Sequence, residues 1–200
     1  MNTNTLTYVK EFNKNNRINA TAVFEQSYAD SYTHSSVASD VDYIDILGYN
    51  ALGWSNSTLS SISSTRTINT MMSGMFRVNY VLMNRYMVTA SVRADGSSRL
   101  NDKWSYFPSA AVAWNIKEED FLKKVDLISQ MKLRVGYGSV GNQAVEAYRI
   151  YSKMSPTKNA DGTTSYTVDR PRANYLEWER NDQLNVGLDF GMVQHTFFLA

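Results

Sequence analysis

Few residues of this chain have types and spacings that could do chemistry. Gly136, Gly138 and Gly141 spell GxGxxG, the pattern whose glycines let a backbone approach a dinucleotide pyrophosphate. That site needs a buried, almost continuously apolar strand before its first glycine. Here Lys132, Leu133, Arg134 and Val135 alternate charged with apolar residues, so the glycines are not read as a cofactor loop. The two histidines, His34 and His195, lie 161 positions apart without a carboxylate at ligand spacing, and cysteine is absent. No metal site and no cofactor is therefore expected. Glu118, Glu119 and Asp120 form an acidic run, read as the solvated start of a helix, where negative charge is favoured. No motif pairs carboxylates for hydrolysis, and the chain is not expected to be an enzyme. The charged positions of most interest are Arg93, Asp95, Arg99 and Arg134.

The elements that must hold those positions alternate in polarity. In 104–114, Trp104, Tyr106, Pro108, Ala110, Val112 and Trp114 share one face of a strand, because side chains alternate with period two. Ten positions separate the two tryptophans, roughly 33 Å of strand, or about 25 Å along the normal at a 40° tilt. That is the height of the apolar band on an outer-membrane barrel, with aromatics at both rims. A membrane-spanning strand follows. Further alternation occurs in 3–12, 17–26, 67–83, 86–93, 132–138 and 184–191. A short helix or ordered turn is expected after Trp114, where Phe121, Leu122, Val125 and Ile128 recur at helical spacing. Residues 193–195 turn into a last, incomplete strand, giving about eight in all.

Four segments carry a resemblance: RYMVTASVRADGSSRL, WSYFPSAAVAW, KLRVGYGSVGNQ and YLEWERNDQLNVGLDFG, in that order over about residues 74–192. They resemble the SusC/RagA family of TonB-linked outer-membrane transporters. The resemblance implies an all-β fold: an antiparallel transmembrane β-barrel segment, part of a 22-stranded barrel around an N-terminal plug. It implies import of bulky nutrients, glycan or peptide, across the outer membrane. Its partners would be outer-membrane lipid, TonB acting through the plug, and a SusD-like surface lipoprotein. Arg93, Asp95, Arg99, Arg134, Asn142 and Gln143 would then face the lumen or plug, with the glycines relieving crowding there. Neither a basic n-region nor an apolar h-region follows Met1. We therefore expect residues 1–200 to be an internal piece of a barrel domain, its signal peptide and plug lying elsewhere.

Connection lengths give a test that needs no resemblance. Irregular stretches at about 28–66 and 141–182 fall on one side of the alternation with a moderate connection at 96–103. Tight turns at 13–16, 84–85 and 193–195 fall on the other with an intermediate connection at 117–131. Barrels have long extracellular loops and short periplasmic turns. The parity sets Tyr80, Tyr86, Trp114 and Phe190 near the periplasmic rim, completing an aromatic girdle with Trp104 and Tyr106. In the long loops, Tyr49, Trp54 and Tyr166 are candidates to stack on ligand rings.

The net charge of +1 and pI near 7.8 argue against a nucleic-acid partner held by bulk electrostatics. A mean hydropathy of -0.38 looks soluble but suits a barrel whose strands face a polar lumen on one side. Two alternatives stay open at this point: a soluble β-sandwich that binds carbohydrate, and a small passive porin.

Overall fold

The alternating segments all form strands, and they extend further than the alternation does. The structure, a computed structural model, describes residues 1–42, 44–56 and 58–192. Its strands are β1 (Asn2–Asn13), β2 (Asn16–Val37), β3 (Ser61–Leu82), β4 (Tyr86–Ser97), β5 (Trp104–Asn115), β6 (Ile128–Asn142), β7 (Lys153–Lys158), β8 (Thr164–Arg170) and β9 (Glu179–Met192). Seven lie in one sheet in the order β1-β2-β3-β4-β5-β6-β9, while β7 and β8 form a separate hairpin. Among the described residues the large sheet is open, with β1 and β9 at its edges. The incomplete strand expected after 193–195, and His195 with it, lie outside the described residues.

Two compact units are present. One holds Met1–Ser27 and the chain from Thr70 onward; the other is Tyr28–Asn69. In the first, register unites every apolar stripe. Leu82, Tyr86, Trp114, Leu133 and Leu188 form one rung across five strands, and Tyr80, Val88, Val112, Val135 and Val186 form the next. Because paired residues of antiparallel strands point to the same side, the sheet has one apolar and one polar face. The apolar face is uncovered: Leu6 is 74% exposed and Val186 69%.

That exposure rules out the β-sandwich. A sandwich buries its apolar face under a second sheet, yet among the described residues the buried hydrophobics are Leu100, Phe107 and Ile116. The accessible surface is 14956 Å², against about 9,500 Å² for a globular monomer of this mass. The small porin fails as well, since the sheet does not close.

The longest connections and the tightest turns fall at opposite ends as expected, although the 116–127 connection at the short-turn end is longer than the 98–103 connection at the other. Met83 and Asn84 both adopt positive φ, 54° and 55°, and Arg85 N–H donates to the Leu82 carbonyl at 3.0 Å. That makes a type I′ turn between β3 and β4, one residue earlier than the sequence suggests. At the same end lie the β1–β2 turn and the 116–127 connection, which holds a single turn of 3₁₀ helix (Ile116–Glu118) and further turns. The apolar spacing after Trp114 thus produces the ordered turn.

Both expected loops are partly strand. Tyr28–Asn69 contains the outer parts of β2 and β3, joined through a helical turn (Ile44–Leu47) and a 3₁₀ segment (Gly48–Trp54). β2 and β3 are each 22 residues long, where about 9–11 suffice to cross hydrocarbon. The extensions carry no clear polarity pattern, and most of their residues are exposed. Arg66 instead ties them together, donating through Nε and Nη2 to Asp30 at 3.0 and 2.8 Å. That fork holds the Asp30 carboxyl below its ordinary value. The β7–β8 strands do alternate, with Met154 and Pro156 opposite Val168 and Tyr166, but they are short.

Candidate functional site

The polar face of the sheet carries a cross-strand network of short polar contacts. Thr89 Oγ1 donates to Asn79 Oδ1 at 2.9 Å, and Ser91 and Ser109 share a hydroxyl hydrogen bond of 2.7 Å. Arg134 on β6 pairs with Asp189 on β9 at 2.7 Å. Arg93 Nε lies 2.8 Å from both oxygens of Asp95, whose side chain is nearly buried. Such pairing satisfies charges that would otherwise be costly on a partly dried wall. Of the six lumen candidates, then, the structure brings Arg93 and Asp95 together and gives Arg134 its own partner.

Arg99, Asn142 and Gln143 lie near the ends of strands, at the end of the sheet with the longer connections. Arg99 Nη1 donates to the Val145 carbonyl at 3.1 Å, and Gln143 Nε2 approaches Met71 Sδ at 3.1 Å. Asn142 is exposed and donates to Glu179 Oε2 at 3.1 Å. The long β6–β9 connection is stitched to the short β4–β5 connection at both of its ends. Asn101 N–H donates to the Leu176 carbonyl at 3.0 Å, and Trp178 Nε1 donates to the Lys103 carbonyl at 3.1 Å. Beneath them Phe107, on the polar-face register of β5, meets Trp178 edge-on with centroids 5.6 Å apart. A Cβ at Gly141 would run into the Phe107 ring. Here glycine is forced by the wall itself, as it is at Gly96 under the Trp104 ring.

Gly136 and Gly187 answer to no such close contact among the described residues. Gly136 and Gly187, with Thr89, Ala111 and Ala113, line a trough of about 520 Å³ on the polar face. A Cβ at Gly136 would sit 3.5 Å from Ala111 Cβ, and one at Gly187 3.5 Å from Arg134 Nη2. Both are ordinary contacts. The GxGxxG glycines belong to a strand between two antiparallel neighbours, with no helix after the third, the wrong setting for a dinucleotide.

At the short-turn end the acidic run has a structural task. Glu119 Oε1 accepts from Tyr86 OH at 2.7 Å and from Trp114 Nε1 at 2.9 Å, while Oε2 accepts from Arg85 Nη1 at 3.0 Å. Arg85 also reaches Asp120 at 3.1 Å. The Tyr86 and Trp114 rings stack with centroids 6.4 Å apart. These bonds, that from the Tyr86 hydroxyl foremost, hold the Glu119 carboxyl below the usual carboxylate range. The expectation of a solvated helix start fails for Glu119. Its partners sit 33, 5 and 34 positions away, and sequence spacing alone gave no sign of the two distant ones.

The other aromatic candidates divide by place. Tyr80 shares a rung with Val88, one step in from Tyr86, and its hydroxyl donates to Asn16 Oδ1 at 3.3 Å. Phe190 pairs with Met131, while Trp104 and Tyr106 stand opposite Gly96 and Ala94 at the other end. Tyr49 and Trp54 lie on the 3₁₀ segment and are exposed, Tyr49 81% so. Tyr166 stands on β8 opposite Pro156, also exposed. Among the described residues no group of three or more His, Asp or Glu could hold a metal ion.

Comparison with known proteins now bears on this geometry. Residues 2–199 match the family described as TonB dependent receptor-like, beta-barrel. The TonB-dependent receptor SusC of Bacteroides thetaiotaomicron is 42% identical over 136 residues, covering 64% of this chain and 14% of SusC. TonB-dependent receptor P26 of Formosa agariphila is 32% identical over 98% of this chain and 20% of its own length. The structure of the RagAB peptide transporter superposes with a TM-score of 0.79 at 22% identity, over 95% of this chain and 21% of that one. The chain therefore spans a fifth or less of the length of these two curated relatives.

Proposed function

Since the chain belongs to the TonB dependent receptor-like β-barrel family, we propose that it is a stretch of wall in an importer of bulky nutrients, glycan or peptide. The family places it in the outer membrane of Gram-negative bacteria. The observation that carries the reading is the two-faced sheet, apolar and exposed among the described residues on one side and polar, paired and glycine-lined on the other. The apolar face meets lipid, and Tyr80, Tyr86, Trp104, Tyr106, Trp114 and Phe190 form its girdles. The polar face meets a plug, which is what requires Gly136 and Gly187 to stay bare. Arg93, Asp95, Arg99, Arg134, Asn142 and Gln143 set the charge and hydrogen-bonding of that lumen.

Mechanism follows from the division of labour. The wall is a rigid, internally paired surface, against which a plug displaced by TonB can slide without leaving charges unpaired. Ligand is captured outside, where Tyr49, Trp54 and Tyr166 offer ring faces, with a SusD-like lipoprotein as the partner there. In this reading the wall is a transport surface rather than an enzyme.

The test is deletion of the gene encoding the full-length receptor in its host. Growth on pooled glycans or on pooled peptides should fail on one of them and return with the gene, but not when TonB is depleted. Unchanged growth on both, or recovery of the receptor in the soluble fraction, would sink the reading.

A further inference from the structure

A groove of about 320 Å³ opens at the Trp104 end of the apolar face. Met72, Gly96 and Trp104 form its floor; they are cross-strand partners on the apolar-face register of β3, β4 and β5. The Trp104 ring lies over Gly96, where a Cβ would come within 2.9 Å of it. Polar groups surround the floor: Gln26, Thr70, Ser98 and Lys103. Lys103 is fixed by its backbone, whose carbonyl accepts from Ser97 N–H at 2.9 Å and Trp178 Nε1 at 3.1 Å. Its ammonium makes no ion pair among the described residues.

We propose that this groove holds one anionic lipid of the outer leaflet, an acyl chain on the Met72–Gly96–Trp104 floor and the headgroup phosphate on Lys103. Three features choose that occupant. The floor is continuous with the face that meets hydrocarbon, so a chain enters it without leaving the bilayer. The groove sits at the end with the long connections, hence at the outer leaflet. An unpaired, backbone-anchored ammonium flanked by hydroxyls and an amide matches a phosphate and offers little to a zwitterionic headgroup's cation. A soluble ligand would not seek a groove opening sideways into lipid. The proposal rests on the reading of the apolar face as lipid-facing, and the experiment separates the two.

Full-length receptor is reconstituted into phosphatidylcholine vesicles containing phosphatidylglycerol, with acyl-chain bromine on one lipid or the other, and tryptophan fluorescence is recorded. Brominated phosphatidylglycerol should quench more strongly than brominated phosphatidylcholine at equal mole fraction, with a local enrichment of about fivefold, the scale of one cation near an anionic surface. Lys103→Glu should abolish that preference and Lys103→Arg should keep it, both variants retaining the heat-shifted migration of a folded barrel. Equal quenching by both lipids, or a preference that survives Lys103→Glu, would overturn the proposal while leaving the barrel in its membrane. Quenching by neither lipid would overturn the lipid-facing reading as well.

Discussion

Single residues here act through partners that sequence spacing hides. Glu119 gathers the hydroxyl of Tyr86, the indole of Trp114 and the guanidinium of Arg85, locking the 116–127 connection to the roots of β4 and β5. Its carboxyl titrates below the usual range when folded, so its contribution is full above the ordinary carboxylate pKa and is lost as pH falls through the depressed one. Thermal unfolding of the detergent-solubilised receptor should show a lower melting temperature for Glu119→Gln at pH 7, and a smaller further fall on acidification than the parent shows. Identical acid sensitivity in the two proteins would deny Glu119 this role. Phe107 is the second case. Its ring fills space that Gly141 leaves open, against Trp178, and Phe107→Ala should cost about 3–5 kcal/mol in urea unfolding. The sequence held one hint of it, an aromatic at a position of β5 whose face otherwise carries serine, alanine and asparagine.

Elements were legible wherever their two faces meet different surroundings. β4 and β5 alternate cleanly because one face is apolar and the other polar and paired, and the register joins their stripes into rungs. The outer parts of β2 and β3 show little alternation, and the β7–β8 strands alternate over only a few residues, with Met154 and Pro156 opposite Val168 and Tyr166; periodicity reports a contrast of environment, not extended backbone as such. Hence 28–66 and 141–182 looked irregular while containing much strand. The same contrast sets a prediction for β5. Ala110 lies near the middle of the span between Trp104 and Trp114 on the apolar face and Ala111 is its neighbour on the polar face. Ala110→Arg should destabilise the vesicle-inserted receptor by about 2–4 kcal/mol, and Ala111→Ser by far less. A similar loss for both would mean that the apolar face does not meet hydrocarbon.

At the scale of the whole molecule, the wall explains its own pairing but not its own emptiness. The fold class and the side of each connection follow from alternation and loop length alone, whereas the lumen's occupant leaves no trace in this chain except as missing side chains. Gly136 and Gly187 have room for a Cβ within the wall, and Ala111 and Ala113 continue the same bare trough. Glycine weakens a strand, so its presence at Gly136 and Gly187 calls for a demand from outside the sheet, and the proposed plug against the polar face would supply one. Gly136→Ala adds only the Cβ for which the wall has room, 3.5 Å from Ala111 Cβ, so only that outside surface can object. The variant receptor should reach the outer membrane at parental levels and migrate as a folded barrel. Its TonB-dependent uptake should nevertheless fall by roughly tenfold or more, as 1–3 kcal/mol of overpacking against a close neighbour implies. Loss of the folded barrel would place the demand for glycine inside the wall, and unchanged uptake would show that nothing approaches Gly136 during transport.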